Sequence, residues 1–264
     1  MIRSLYFHNP SAEGFERIIK FLHNRKYQFL SCVDLVDFLY NSKQFANKKL
    51  AYVSLDDGWR GNLQLLPIIE KYKVPITIFV ALEPVSSGNF WWEYVFKAIG
   101  IENRFAFKQL PYEEFNSQIK EIKSKSGKME RSAVTLDELK MLAKHPLVSI
   151  QSHTINHPIL TSVPDDVLIS ELKDSKIQLE QLLGVTVDAF SYPNGSLSKR
   201  EVDAAKKFYS LAFSTEQDNI HRNSDRYLLP RYALTGNYYK DLLKLYGIWS
   251  RLKNFVSLLK GNRK

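Results

Sequence analysis

The sequence predicts an α/β fold carried on a mostly parallel sheet, open or closed into a barrel. Short apolar runs of strand length alternate with stretches of helical periodicity. The alternation continues past Trp59 and past Pro193 without a linker, which favours one domain. With 264 residues, 44% of them apolar, the chain can bury a sizeable core.

In chain order, strands are expected at residues 4–7, 50–55, 76–80, 147–151, 187–190 and 210–213. Helices are expected at 12–24, 32–40, 61–72, 136–144, 165–183 and 198–208. Thr135 with Glu138 fits a capping box, and Pro164 followed by Asp165 and Asp166 puts acids in a first helical turn. Residues 83–132 are the least regular and read as an insertion containing helices. The domain thus spans 1–236, and 237–264 reads as a basic amphipathic C-terminal helix. There Leu242, Leu245, Tyr246, Trp249, Leu252, Val256 and Leu259 recur at helical spacing. Such a helix packs on the domain or rests on an anionic membrane surface.

Charge excludes some partners. The net charge is +9, but residues 238–264 hold seven bases and one acid, so two-thirds of the excess sits in the tail. The body is nearly neutral, which argues against a surface that tracks nucleic-acid phosphates. One cysteine, Cys32, rules out an intrachain disulfide and any multi-cysteine zinc site. No run is long and apolar enough to span a bilayer, and the first residues lack a signal-peptide pattern. The expectation is a cytoplasmic protein, with the inner membrane surface as its place if the tail binds lipid.

Three segments bring polar groups to strand ends. In Ser54-Leu55-Asp56-Asp57-Gly58-Trp59 an apolar run ends in two carboxylates and a glycine. One acid can bind a cation while the other serves as a base, although Asp-Asp-Gly is also good turn chemistry. In Gln151-Ser152-His153-Thr154-Ile155-Asn156-His157-Pro158 two histidines four apart would share one face of a helical turn, which suits one metal ion and equally a surface pair. Phe190-Ser191-Tyr192-Pro193-Asn194-Gly195 runs a strand into a turn whose N–H groups can stabilise an oxyanion. Taken together, Asp57, His153 and His157 form a carboxylate–imidazole set with open positions, at the strand ends where parallel folds place their sites.

This ordered set resembles the polysaccharide deacetylase family, the NodB-homology or family-four carbohydrate esterases. The resemblance covers about residues 1 to 235. It extends to Val74–Val80, to Phe90-Trp91-Trp92-Glu93 and to Leu228-Leu229-Pro230-Arg231. It implies a single-domain, distorted (β/α) barrel. It also implies one divalent metal ion, zinc first with cobalt, nickel, iron or manganese as alternatives, held by Asp57, His153 and His157. Asp56 would be the base. No Leu-x-His follows Pro230 to supply the family's usual acid, but Leu5-Tyr6-Phe7-His8 resembles the early Tyr-His segment of the poly-N-acetylglucosamine deacetylase branch, so His8 stands as the acid. Ser191 occupies the place of a base-orienting arginine, for which Arg231 is the substitute.

The activity implied is hydrolytic N-deacetylation of a nucleotide-linked, lipid-linked or oligomeric sugar in surface glycan biosynthesis. A backbone N–H near Asn194 would bind the oxyanion. Trp59, Trp91, Trp92, Tyr192 and Pro193 would meet the sugar, though any of these rings can equally be core. A sugar-binding protein without turnover, a deformylase acting on a lipid-linked sugar, and a nucleic-acid binder resting on the tail alone are the competing readings.

Overall fold

A computed structural model describes residues 1–40 and 45–246. The strands are β1 (Ile2–Phe7), β2 (Gln28–Leu30), β3 (Leu50–Asp57), β4 (Ile76–Val80), β5 (Val148–Ser152), β6 (Ala189–Ser191), β7 (Leu211–Phe213) and β8 (Tyr232–Ala233). The helices are α1 (Ala12–Asn24), α2 (Cys32–Tyr40), α3 (Leu66–Tyr72), α4 (Leu82–Ser87), α5 (Trp91–Ile99), α6 (Arg104–Lys108), α7 (Tyr112–Lys125), α8 (Leu136–Ala143), α9 (Asp165–Leu183), α10 (Lys199–Ala205) and α11 (Tyr238–Leu245).

Every pair of named strands is parallel, in the order β7-β6-β5-β4-β3-β1-β8. The first half of β3 also carries β2, Gln28 facing Leu50, on the edge that β4 takes over from Ser54 onward. The chain from Leu229 to Ala233 then bends the sheet toward closure. Leu229 bridges to Phe213 of β7, and Tyr232 lies opposite Leu5 of β1. The result is the expected distorted (β/α) barrel.

Strand alternation sorts side chains onto two faces. Val53, Leu55, Ile78, Val80 and Ile150 pack outward under the helices, with Phe15, Ile18 and Leu22 of α1 and Leu168 and Leu172 of α9. Leu50, Tyr52, Phe79, Ala189, Leu211, Phe213 and Leu229 fill the interior, where the Tyr52 and Phe213 rings stack 5.3 Å apart. Each large apolar chain so buried contributes about 1.5–3 kcal/mol. By the same alternation Ser54 and Asp56 share the strand face of Tyr52.

Helix starts follow the sequence signals. Ser11 caps α1 by accepting from the Gly14 N–H, and Thr135 and Glu138 form the expected reciprocal cap on α8. α9 begins at Asp165 behind Pro164. The expected helix at 61–72 is instead a 3₁₀ segment, Arg60–Leu65, followed by α3, with Pro67 in the first turn of α3 where its missing N–H costs nothing. Residues 83–132 do contain helices: α4 packs into the main core through Leu82 and Val85, while α5 to α7 close a small core of Trp91, Val95, Phe107 and Phe115 with Ile159 from outside the segment.

Cys32 is buried, and burial pushes its thiol up to about 12, so it behaves as a small apolar side chain. α11 packs on α1, with Leu245 buried, while Trp249, Leu252, Val256 and Leu259 lie outside the described residues. Among the described residues no helix is long and apolar enough to cross a membrane.

Candidate active site

Because the strands run parallel, β1, β3, β5, β6 and β7 all end on one rim. Just inside it lies Asp56, gripped from below. Arg231, wholly buried, donates Nη1 to Asp56 Oδ1 at 2.8 Å and Nη2 to Oδ2 at 2.9 Å. Its other donors reach Ser54 Oγ at 3.0 Å, Ser191 Oγ at 2.8 Å and, from Nε, the Ser214 carbonyl at 3.3 Å, and its guanidinium lies 4.3 Å from the centre of the Tyr6 ring. A planar fork with fixed donors suits this two-point grip, and a lysine would not reproduce it. Burial opposes ionisation of Asp56, but the charge of Arg231, with those of His153 and His8, outweighs it and holds the carboxyl below its ordinary range. Asp56 is therefore an ionised carboxylate fixed in place. Arg231, expected as the substitute for the missing arginine, is the residue paired with Asp56.

Asp57, the next residue, leaves β3 with φ 78°, a left-handed conformation uncommon for a side-chain-bearing residue. The turn aims its carboxylate at two imidazoles. His153 and His157 each bring Nε2 to 3.4 Å from Asp57 Oδ1, with their rings 4.8 Å apart at 72°. The three ligand atoms lie within 4.8 Å of one another. His153 Nδ1–H donates to the Ser191 carbonyl at 2.7 Å, which turns Nε2 toward Asp57. The indole N–H of Trp59 donates to Asp57 Oδ2 at 2.8 Å, so Oδ1 is the oxygen presented to the histidines.

Burial works against ionisation of Asp57, yet the contact with His153 and the charges of His8, His157 and His153 keep its carboxyl far below the ordinary range. Burial, then the neighbouring His153, lowers His157 to about 3, the neutral form that ligates metals. Asp57 Oδ1 is buried and has no hydrogen-bond partner. A buried acceptor left so costs about 1–3 kcal/mol, and a cation between it and the two imidazoles would offset that. The residues present fit a divalent ion.

The two histidines do not converge on a helical turn, as their spacing suggested. Residues 153–159 are irregular, and both Thr154 (φ 71°) and His157 (φ 53°) are left-handed. Buried Glu171 of α9 holds this loop, accepting from the Ile155 N–H at 2.8 Å, the Asn156 N–H at 3.0 Å and Asn156 Nδ2 at 2.6 Å. The His157 N–H donates to Thr154 Oγ1 at 3.0 Å. Strain of this kind, about 1–3 kcal/mol per residue, persists where surrounding bonds fix it.

Above the cluster opens a cavity of about 440 Å³, in the size range of small-ligand sites. His8, at the end of β1, is exposed and lines it, its ring 5.6 Å from that of Tyr6. Asn194 lines it from the turn Pro193–Gly195, with φ 58°, and its Oδ1 accepts from Lys108 Nζ. Trp59 and Trp92 line it too, Trp92 with its ring 4.7 Å from that of His157.

Trp91 does not, contrary to expectation. It is buried in the core of the insertion and donates its indole N–H to the His157 carbonyl at 3.0 Å. Position 91 opens α5 facing inward, so adjacent tryptophans part to opposite duties. Pro193 is also buried and outside the cavity wall, and Tyr192 is only 1% exposed, its hydroxyl donating to the Tyr227 carbonyl at 3.1 Å while the ring backs the wall. Wall residues that the motifs did not announce are Tyr6, Phe96, Phe105, Lys108 and Thr215. Tyr6 carried a signal in the Leu5–His8 segment, whereas Phe96, Phe105 and Lys108 sit in the irregular insertion and carried none.

The family model for polysaccharide deacetylases matches residues 43–210, well over half of the chain. The chain belongs to the polysaccharide deacetylase family. Among curated proteins this deacetylase-family chain is 26% identical over 224 residues to YxkH of Bacillus subtilis, whose name assigns it provisionally to the same family. That alignment covers 84% of this chain and 64% of YxkH, so the chain spans less than two-thirds of that relative. It is 25% identical over 240 residues to the poly-beta-1,6-N-acetyl-D-glucosamine N-deacetylase of Staphylococcus aureus, covering 90% and 71% of the two chains. In fold it is similar to the Streptococcus pyogenes deacetylase PplD, solved with acetate (TM-score 0.68, 21% identity, 92% and 96% covered), and to IcaB from Ammonifex degensii (TM-score 0.64, 15% identity, 91% and 97% covered).

Proposed function

We propose that this family member is a metal-dependent hydrolase that removes the acetyl group from the nitrogen of an N-acetylated sugar destined for a surface glycan. One observation carries the reading: an ionised carboxylate, Asp56, is locked by Arg231 beside the separate Asp57–His153–His157 cluster, all on the floor of one cavity. A base next to three ligands, with space above both, is what hydrolysis of an unactivated amide requires.

Asp57, His153 and His157 would hold a divalent ion, zinc or a similar metal. Such an ion supplies Lewis acidity toward water and the acetamide carbonyl. Asp56 accepts the proton of the attacking water, whose oxygen bonds to the carbonyl carbon. A backbone N–H at Asn194 stabilises the oxyanion. His8 protonates the sugar nitrogen as the C–N bond breaks, and acetate and a free amine leave. Trp59 and Trp92 offer faces for the sugar ring. Support for an acetylated amino sugar comes from the Staphylococcus aureus relative, whose name gives that substrate and that bond.

The test is metal analysis of the purified chain together with acetate release from N-acetylated sugars. Asp56→Asn should keep the metal and lose turnover, while His153→Ala should lose both. An Asp56→Asn protein with full activity would remove Asp56 as the base. A metal-loaded chain that binds sugars yet releases no acetate would favour a binding protein on the same fold.

A further inference from the structure

The end of the molecule where the strands begin, away from the cavity, gathers charge of one sign. A groove between α1 and α11 is lined by Arg17, Lys20 and Arg25 together with Tyr238 and Tyr239. A second cleft, where β1 and β3 start, is lined by Arg3, Lys48 and Lys49. The two adjoin, because Lys49 Nζ donates to the Arg25 carbonyl at 3.4 Å and Arg3 Nη1 donates to the Leu245 carbonyl at the end of α11. Among the described residues no carboxylate lines either cleft. The acids of α1 are engaged elsewhere on the helix, Glu13 with Arg17 and Glu16 with Lys71 and Tyr72. Asp241 of α11 is buried and accepts from the Thr235 and Gly236 N–H groups.

This face also offers apolar surface. Tyr239 is 77% exposed and Tyr246 51% exposed, both presented by the α11 end of the chain beside these cations, with the Tyr246 ring edge-on to Phe21 at 6.0 Å. Residues 247–264, outside the described part, hold five bases and no acid among apolar residues such as Trp249, Leu252, Val256 and Leu259. An acidic polymer would engage the bases and leave the rings idle. A bilayer interface engages both, its phosphates meeting the cations and its headgroup boundary taking tyrosine and tryptophan rings.

We propose that this face is a docking surface for an anionic lipid bilayer, built from the cations of α1, the start of β1 and Lys48–Lys49, and continued by the basic segment after α11. Each cation brought to such a surface is worth about fivefold in partitioning. β3 begins at Leu50 in this face and ends at Asp57 on the cavity floor, roughly 23 Å further along. Docking therefore leaves the cavity open to water. The docking does not depend on the deacetylase reading.

Cosedimentation of the full chain with lipid vesicles tests it. Vesicles of phosphatidylcholine with about one-quarter phosphatidylglycerol should bind the chain at least about tenfold more strongly than phosphatidylcholine alone, and salt at about 0.5 M should erode the difference. The combined variant Lys20→Gln, Lys48→Gln, Lys49→Gln should weaken partitioning by about a hundredfold, and Tyr239→Ser by a fewfold. All four side chains are exposed, so the urea midpoint should match that of the unaltered chain. Arginine at the same three lysine positions keeps the charge and should bind like the unaltered chain.

Equal binding to both kinds of vesicle, or binding to neither, overturns the proposal. So does full vesicle binding by the glutamine variant, which would leave the segment after α11 as the sole anchor. Heparin serves as the acidic-polymer probe. Binding to heparin as tight as to the anionic vesicles, with Tyr239→Ser losing nothing on vesicles, would make this a polyanion surface and overturn the membrane role.

Discussion

Asp56, Asp57, His153, His157 and Arg231 are all buried, and four of them come from strand ends or the turns just after them. Trp92, Phe96, Phe105 and Lys108 reach the same cavity from helices of the insertion and keep part or most of their surface in solvent. The floor is cross-linked by directional bonds: the Arg231 fork, the Ser191 carbonyl on His153, the Trp59 N–H on Asp57. The wall is held by its own apolar core and by a few reaching contacts, such as Trp91 to the His157 carbonyl. Chemistry that depends on placing a proton within a fraction of an ångström belongs on the first kind of support. Recognition that must accommodate a bulky ligand belongs on the second. Substitutions in the floor should therefore change kcat and metal content, and substitutions in the wall should change KM.

The largest effects are expected at the proposed metal ligands and the proposed base. His153→Ala should reduce bound metal to background and activity with it, as read by metal analysis and acetate release. Asp56→Asn should retain metal and lower kcat by about 10²–10⁴, the usual worth of a positioned general base. Retained activity in the metal-free His153→Ala protein would break the link between floor and chemistry.

Next comes Arg231→Met, which leaves Asp56 buried without its partner and should cost about 3–5 kcal/mol of stability by urea unfolding. The pH dependence should also invert. In the unaltered chain Asp56 titrates below its ordinary range, so the pair's stabilisation is present above that range and fades as pH falls toward the folded value. Without the guanidinium, burial dominates and raises the Asp56 carboxyl. Stability should then decrease as pH rises through the carboxylate range, and the acid limb of kcat/KM should move to higher pH. An acid limb that stays where it was would show that Arg231 does not set the state of Asp56.

A smaller effect belongs to Trp59→Phe, which keeps the ring and deletes the N–H that engages Asp57 Oδ2. Partners of metal ligands are worth about 10–100-fold in metal affinity, measurable by competition with a chelator. If KM changes and metal affinity does not, Trp59 belongs to the wall rather than to the floor.

The same division explains what could be read from the sequence. Asp56-Asp57, His153, His157 and the strand before each were legible, because a parallel strand is a continuous apolar run and its end is marked where polar groups begin. The reach of Arg231 to Asp56 was legible only as a substitution for an absent arginine, since 175 residues separate the pair. The route by which the two histidines meet was misread: spacing of four suggests a helical turn, and nothing local announces that Glu171 would hold a loop with two left-handed residues. β2 and β8 were not among the expected strands; β8, two residues long, is too short to show alternation, and β2 opens on the exposed polar Gln28 rather than on an apolar run. In the insertion, where aromatic residues serve core and cavity alike, Trp91 and Trp92 could not be told apart without knowing which side of α5 faces the domain.

The smallest effect expected tests the wall at its most exposed point. Phe105 lines the cavity yet is 67% exposed, so its ring contributes little to the folded core. Phe105→Ser should leave the melting temperature within about a degree or two, because exposed substitutions away from special features shift stability by less than about 0.5 kcal/mol. If the ring covers bound sugar, the variant should raise KM by a fewfold with kcat little changed, the signature of lost uniform binding. A fall in kcat at constant KM would mean that this helix helps position the reacting groups, and the separation of floor from wall would no longer hold there.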